Sequence, residues 1–387
     1  MQFVDLAAQQ RKISTQIEKN IHTVLSHGNY IMGPEVKELE NKLGTYVGAR
    51  FAIGCSSGTD ALLLALMAYN IGPGDVIFTS PFTFIATAEV ICLLGATPVF
   101  VDIDDKTFNI HPEKLLQAIL ALKNGSFKKH PLPKIPELES LKPKGIIAVD
   151  LFGLPAEYDQ INKIAGEHSL FVIEDAAQSF GAEYKRRNAC NLADIACTSF
   201  FPAKPLGCYG DGGMCFTNNE NTAEIVRSLC VHGKGLHKYD NIRIGLNGRL
   251  DTLQAAILLA KFSIFREENL LRQDIARRYA EFLSVYPSIQ TPIIPEVLRS
   301  AWAQYSILVK DKEARDSIQA KLKTEGIPSA VYYPKPLHIQ EAFSFLGHKK
   351  GDFPISEDCS RRIISLPMHP YLTLEEQEQI AQVIGNV

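Results

Sequence analysis

The sequence lacks the cysteine spacing of a metal ribbon. Its eight cysteines, Cys55, Cys92, Cys190, Cys197, Cys208, Cys215, Cys230 and Cys359, form no C-x-x-C pair, so no zinc or other metal site is expected. Several sit in apolar runs and read as small buried residues of a reducing compartment. Long hydrophobic stretches are missing as well. Runs such as Ala61 to Ala68 fall far short of the ~20 residues that cross a bilayer as a helix, so no membrane association is expected. No charge of one sign dominates. Forty lysines and arginines face 43 aspartates and glutamates, a formal net charge of −3. The basic residues are scattered, which argues against a nucleic-acid surface. The opening Met1-Gln2-Phe3-Val4-Asp5-Leu6 has no basic-then-apolar signal pattern, and a cytoplasmic location is the expectation. There is no internal repeat and no low-complexity tail.

What is present is material for a large core. The chain has 387 residues, 46% of them hydrophobic, enough for two or three domains or for one large and one small lobe. From about Arg50 onward, short apolar strands alternate with helical patterns. Strands are predicted at Phe51–Gly54, Asp75–Thr79, Thr97–Val101, Gly145–Val149, Leu170–Ile173, Ala196–Phe200 and Gly213–Thr217. Helices are predicted at Thr59–Tyr69, Thr83–Leu94 and Tyr158–His168. Continuous apolar strands alternating with helices imply an α/β architecture with a mainly parallel sheet covered on both faces. Asn124 to Lys144 breaks this rhythm with Pro131, Pro133, Pro136, Pro143 and several lysines. It reads as a solvent-exposed insertion. After Gly245 come a long helix, Asp251–Tyr286, with an expected kink, a strand at Gln304–Val309, a helix at Lys312–Glu325, a strand near Val331 and a C-terminal helix at Thr373–Val383. This is a smaller α/β lobe.

The chemistry concentrates in two segments. The strand Phe171-Val172-Ile173 runs into Glu174-Asp175-Ala176-Ala177-Gln178, and Ser199-Phe200-Phe201-Pro202-Ala203-Lys204-Pro205 leads into Gly207-Cys208-Tyr209-Gly210-Asp211-Gly212-Gly213. In isolation Lys204 reads as a surface charge and Asp175 as a helix N-cap. Glu174 rivals Asp175, and strand alternation turns the two to opposite faces. Together, an acid ending a buried strand and a lysine in an apolar, proline-flanked turn are what pyridoxal phosphate requires. The lysine links to its aldehyde, and the acid keeps its ring nitrogen protonated. For the phosphate, Ser57, Gly58 and Thr59 join a strand to a helix, where free N–H groups favour an anion. Ser199 is a second candidate ligand.

These segments, in this order, resemble the sugar aminotransferases of the DegT/DnrJ/EryC1/StrS family, and the resemblance runs from Asp5 to the C-terminal helix. It implies the type I pyridoxal phosphate-dependent transferase fold, a large domain around a mostly parallel seven-stranded sheet plus a small C-terminal α/β domain, here 1–245 and 246–387. It selects Asp175 over Glu174, places Gln178 on the ring hydroxyl and Phe82 over the ring, and sends Asn247 to the phosphate of a neighbouring subunit. The implied assembly is a homodimer with shared active sites. Gly28-Asn29-Tyr30-Ile31-Met32-Gly33-Pro34 resembles the family's loop beside the nucleotide sugar, and Tyr332-Tyr333-Pro334-Lys335-Pro336-Leu337-His338 its tyrosine-proline segment. Tyr30, Tyr332, Tyr333 and His338 are thereby expected to touch substrate, with Arg249 suited to its diphosphate.

Lysine at 204, where some members carry histidine and dehydrate the sugar, implies amino transfer. The implied reaction moves the amino group of glutamate to a keto group of a nucleotide-linked sugar. The expected substrate is UDP-2-acetamido-3-keto-glucuronate, for lipopolysaccharide O-antigen or another surface polysaccharide. A same-fold dehydratase, a cyclitol aminotransferase and a non-catalytic nucleotide-binding regulator are the alternatives. Two departures stand out. Asp150-Leu151-Phe152-Gly153 replaces the common His-x-Tyr-Gly, and Gly210-Asp211-Gly212-Gly213 replaces Gly-Glu-Gly-Gly.

Overall fold

Apolar runs without polar alternation need cover on both sides, and that is how the chain folds. The computed structural model describes residues 1–126, 129–136, 138–237 and 239–385. Phe127, Lys128 and Glu137 of the proline-rich segment lie outside the described residues, as do Lys238 and, at the C-terminus, Asn386 and Val387. Two helices, α1 (Leu6–His27) and α2 (Pro34–Val47), precede β1 (Phe51–Cys55) and α3 (Gly58–Ala68). Then follow β2 (Asp75–Thr79), α4 (Ala86–Leu93), β3 (Thr97–Phe100), α5 (Pro112–Lys123), β4 (Lys142–Val149), α6 (Tyr158–Glu167) and β5 (Phe171–Asp175). The short strands β6 (Glu183–Tyr184) and β7 (Arg187–Asn188) lead to β8 (Ile195–Ser199), β9 (Gly213–Thr217), α7 (Glu220–Leu229) and the 32-residue α8 (Thr252–Leu283). The remainder holds β10 (Leu298–Arg299), β11 (Tyr305–Leu308), α9 (Lys312–Thr324), α10 (Pro354–Arg362), β12 (Ile363–Leu366) and α11 (Leu374–Gly385).

Seven strands form the central sheet in the order β1-β9-β8-β5-β4-β2-β3. Strand β9 pairs antiparallel with both neighbours, and the other pairings are parallel. Alternation splits each strand between two cores. Val76, Phe78, Ile146, Ala148 and Val172 face α5 and α6. Ile77, Ile147, Ile173, Ile195 and Cys197 face α3 and α7. The type I architecture expected from the sequence is thus the one observed.

Three local expectations need correction. The segment from Asn124 to Lys144 is not a solvent-exposed insertion. Leu132 and Leu138 are buried and Ile135 and Leu141 partly so, all against the α5–α6 core. Their three-residue spacing lets one side of an irregular chain pack while Lys134 and Pro136 face outward. His130 is also buried, with its Nε2 2.7 Å from the Phe100 carbonyl. The expected kink in α8 is absent: the helix is continuous, because its apolar stripe meets one core after another. Near Val331 there is no strand, only an isolated bridge between Ala330 and Ser365. The second core lies between α8, α9, α11 and the antiparallel pair β11–β12. No helix among the described residues is long and apolar enough to cross a membrane.

Candidate active site

Parallel strands β8, β5, β4 and β2 all end on the same side, and the loops beyond their C-terminal ends are where α/β sheets bind ligands. Asp175 is the last residue of β5 and is buried. Its carboxylate accepts Thr87 Oγ1 of α4 at 2.8 Å and the Ala177 N–H at 3.2 Å. Burial pushes its proton affinity up, while Thr87, Ala177 and the charge of Lys204 pull it down. Glu174 points to the other face, as strand alternation requires. Its oxygens take the N–H groups of Cys190 at 2.6 Å and Leu192 at 2.9 Å, so it serves the fold of that turn.

Lys204 sits in a turn closed by backbone bonds. Lys204 N–H donates to Phe201 O, Cys208 N–H to Phe200 O, and Phe200 N–H to Gly212 O, each at 2.8 Å. A Cβ on Gly207 would lie 2.5 Å from Pro202 O, so only glycine allows the chain to double back. Although the residue is half-buried overall, its amine is desolvated. Burial pushes its pKa down, and Asp175 partly restores it. An amine of this kind is more often neutral and so more nucleophilic than a surface lysine.

The N-terminus of α3 lies beside this pair. Ser57 caps it, its Oγ accepting Asp60 N–H at 3.0 Å. The N–H groups of Gly58 and Thr59 have no partner among the described residues, as expected for a first helical turn. Space around them is closed. A Cβ on Gly58 would stand 2.6 Å from the Ser199 Cβ, and one on Gly213 would stand 2.3 Å from Ser57 O. Ser57, Gly58, Thr59 and Ser199 are therefore gathered into one cup. The segment before α8 borders it: Ser56 N–H donates to Gly248 O at 3.0 Å, and Cys55 bridges Arg249. Arg249 Nε is buried without a hydrogen-bond partner. A cup with free N–H donors and no room for a side chain fits a phosphate, and the orphaned Arg249 nitrogen at its border is left for a second anion. The acid and the desolvated amine fit the ring nitrogen and aldehyde of pyridoxal phosphate.

The substrate-side expectations divide. Tyr30 is half-exposed, and its carbonyl accepts Thr252 N–H at 3.0 Å, while Ile31 bridges Asp251. The N-terminal loop is thereby tied to the Arg249 segment, more than 200 residues away in sequence. Asn247 is exposed beside Val231. Gln178 holds Phe152 N–H through Oε1 at 2.6 Å and donates from Nε2 to Tyr333 OH at 3.3 Å. Tyr333 therefore lies near Asp175, whose charge raises its pKa further after burial. Tyr332 packs edge-on to Phe3.

Two expectations do not fit. His338 is buried, its Nε2 3.0 Å from Glu357 Oε1 and its ring 4.8 Å from that of Phe353, so it is closed off from substrate. Phe82 is also buried, with Phe108, Phe152 and Tyr333 around it and no open ring face. Phe84, two residues on, is 55% exposed, 6.4 Å from the Tyr333 ring and at the start of the turn leading to Thr87. It has the free face a ring platform needs. Sequence reading missed Phe84 and Thr87. The signal for the first was the Phe-x-Phe repeat, whose two rings cannot be ranked without burial; the second gave none.

The chain is a pyridoxal phosphate-dependent transaminase on the type I fold, with this cluster as its candidate site. The chain belongs to the DegT/DnrJ/EryC1/StrS aminotransferase family, which matches residues 11–385. It is 46% identical over 386 residues, covering all of both chains, to the UDP-2-acetamido-2-deoxy-3-oxo-D-glucuronate aminotransferase of Pseudomonas aeruginosa. It is 38% identical over 382 residues, 99% of this chain and 96% of the other, to the UDP-N-acetyl-3-dehydro-alpha-D-glucosamine 3-aminotransferase of Acidithiobacillus ferrooxidans. Among solved structures, a DegT DnrJ EryC1 StrS aminotransferase from Brucella abortus superposes with a TM-score of 0.92 at 48% identity, covering 99% of this chain and 98% of that one. NtdA from Bacillus subtilis, with bound cofactor PMP, superposes with a TM-score of 0.85 at 30% identity, covering 99% and 82%.

Proposed function

We propose that the protein transfers the amino group of glutamate to the 3-keto group of UDP-2-acetamido-3-keto-glucuronate, in the cytoplasm, for lipopolysaccharide O-antigen or a similar surface polysaccharide. The observation that carries this reading is the Asp175–Lys204 pair in a chain 46% identical, end to end, to a relative named for that substrate. Glutamate and keto-sugar become 2-oxoglutarate and amino-sugar. Pyridoxal phosphate, when bound, supplies the aldehyde that carries the amino group and a ring that withdraws electrons from the reacting carbon.

The remaining work falls to the chain. The desolvated amine of Lys204 would hold the cofactor's aldehyde and, when free, would carry the proton at the substrate carbon. Asp175, fixed by Thr87 and Ala177 N–H, holds its negative charge against the ring nitrogen. Ser57, Gly58, Thr59 and Ser199 would hold the phosphate, and Phe84 would cover the ring. Gln178 positions Tyr333 and borders the ring hydroxyl. Arg249, Tyr30, Tyr332 and Tyr333 line the nucleotide-sugar side.

The reading includes a homodimer with shared sites. Leu236, Tyr239, Ile242 and Ile244 stand exposed on the loop before Asn247, an apolar group of the kind that marks an interface. Asn247, exposed at the end of that loop, then reaches the partner's phosphate. The test is incubation with glutamate and a panel of nucleotide keto-sugars, read by mass spectrometry for product and by release of 2-oxoglutarate. Amination of a UDP-linked 3-keto-uronate above the rest is expected. Preference for a dTDP-linked or a 4-keto sugar overturns the substrate.

A further inference from the structure

Behind Asp175 lies a second pair of acids that the transfer chemistry does not use. Asp150 follows the end of β4 and Glu174 precedes Asp175 in β5, and neither is exposed at all. Asp150 N–H donates to Asp175 O at 3.1 Å, tying the two strand ends. Asp150 Oδ1 accepts Ala156 N–H and Tyr158 OH, both at 2.9 Å, and Oδ2 accepts Ser179 Oγ at 2.7 Å. Glu174 accepts only the two N–H groups of Cys190 and Leu192. No lysine or arginine pairs with either carboxyl among the described residues.

The β4–β5 register sets Ala148 opposite Glu174, so Asp150, two residues on, shares the face of Glu174 and the two carboxyls interact. Two buried carboxylates side by side with no cation between them repel, so the pair is stable with one shared proton. Three donors solvate Asp150 and two solvate Glu174, so the anion sits on Asp150 and the proton on Glu174. Burial pushes both upward, Glu174 the further because Asp150's charge adds to it. The other titratable groups facing the pair are the Tyr158 phenol on α6 and the Cys190 thiol, both pushed up by burial and by these acids; Asp175 lies on the opposite face of β5, where Lys204 faces it.

We infer that Asp150 is a positioning residue: a buried anion, kept ionised by a neutral Glu174, that clamps the Asp175–Ser179 turn and adds a fixed negative charge behind Asp175. The inference rests on the role given above to Asp175. Through Ser179 the charge holds the turn that carries Gln178, and through space it favours a protonated ring nitrogen over a neutral one.

Infrared difference spectra of the cofactor-free protein test the shared proton independently of any activity. One buried protonated carboxyl is expected to persist at pH 8 and to vanish in Glu174→Gln. Absence of that band in the wild type overturns the inference and leaves the role of Asp175 standing. The second measurement is the pH midpoint of the absorbance band of the bound cofactor. Asp150→Asn is expected to lower that midpoint by about one pH unit, the scale of one charge at close range in a protein interior. It is also expected to reduce kcat about tenfold with KM for the nucleotide sugar little changed. Glu174→Gln, which replaces a neutral group, stays within about threefold of wild type in kcat. An unmoved midpoint in Asp150→Asn, or equal losses in both variants, reduces the pair to a structural role and overturns the inference. Should Asp150→Asn fail to fold, Ser179→Ala carries the same test. It removes a donor to the anion and should raise the pH at which the pair takes its second proton, moving the acid limb of the cofactor band upward; an unmoved limb overturns it. Asp175→Asn, run alongside, abolishes turnover if the underlying assignment is right and keeps it if that assignment is wrong.

Discussion

Replacing Gly213 by alanine should loosen the grip on the cofactor phosphate without touching a catalytic side chain. The added Cβ would stand 2.3 Å from Ser57 O and 2.8 Å from Gly58 N. Carbon and oxygen normally meet at about 3.3 Å or more, so the Ser57–Gly58 peptide must shift by about 1 Å. That peptide opens α3, and its displacement turns the Gly58 and Thr59 N–H groups away from the bound anion. Overpacking of this size costs about 1–3 kcal/mol. Borne mainly by the bound state, it weakens cofactor binding roughly five- to a hundredfold. The measurement is absorbance titration of cofactor-free protein with pyridoxal phosphate, beside a thermal melt of the cofactor-free protein. Gly72→Ala is the control, since no atom lies within 4 Å of its added Cβ. The reasoning fails if Gly213→Ala titrates like wild type while the cofactor-free melt drops. That outcome would place the strain in the fold and the phosphate elsewhere.

Borohydride treatment of the loaded enzyme should fix the cofactor to Lys204 by peptide mapping, and Lys204→Ala should lose transamination by several orders of magnitude; label on another lysine would end the assignment. Phe84→Ala should weaken cofactor binding about three- to tenfold, the scale of one ring contact, with little change in stability. Phe82→Ala should do the reverse, costing about 3–5 kcal/mol of stability as a buried ring is lost; equal behaviour of the two refutes the distinction. Arg249→Ala should raise KM for the nucleotide sugar roughly ten- to a hundredfold, as for a charge-assisted contact of ~1.5–3 kcal/mol, and spare the glutamate half-reaction. A collapse of cofactor content would move Arg249 to the phosphate cup. Burial lowers the His130 pKa from 6.5 to about 4, so as pH falls the unfolded chain takes this proton first. Stability from this group is complete above pH 6.5 and is lost between 6.5 and 4, roughly 3 kcal/mol in all. Denaturant melts of His130→Asn across that window should show a shallower slope than wild type, and an unchanged slope would assign the acid sensitivity to other groups.

The sheet was legible because its strands are short, apolar throughout and bounded by turns. Asp175 ends such a strand and Lys204 follows one in an apolar, proline-flanked turn, so sequence alone could single out both as candidates. The alternation of Glu174 and Asp175 followed from the period of two. What could not be read depended on distance in space. Prolines and lysines hid the three-residue beat of Leu132, Ile135, Leu138 and Leu141, since it matches neither the 3.6 period of an α-helix nor the period of two of a strand. Phe82 and Phe84 are the same residue type two positions apart, and only packing tells the buried ring from the open one. His338 lies in a segment of site-like composition, yet Glu357, 19 residues on, captures it. The Asp150–Glu174 contact joins two strands in register, Ala148 opposite Glu174, and sequence gives register only after the sheet order is known.

The uninterrupted helix α8 has a mechanical consequence. At 1.5 Å per residue its 32 residues make a rod of about 48 Å. One half, with Ala255, Leu258 and Phe265, is cemented beneath the lysine turn, and the other, with Ile275, Tyr279 and Leu283, into the C-terminal core. Swinging one mass against the other would require bending that rod at a point where no proline, glycine or irregular backbone weakens it. Adjustment to an arriving sugar nucleotide is therefore left to segments outside this rod, such as the tyrosine-proline stretch after Ala330, while the body of the subunit behaves as one rigid anvil.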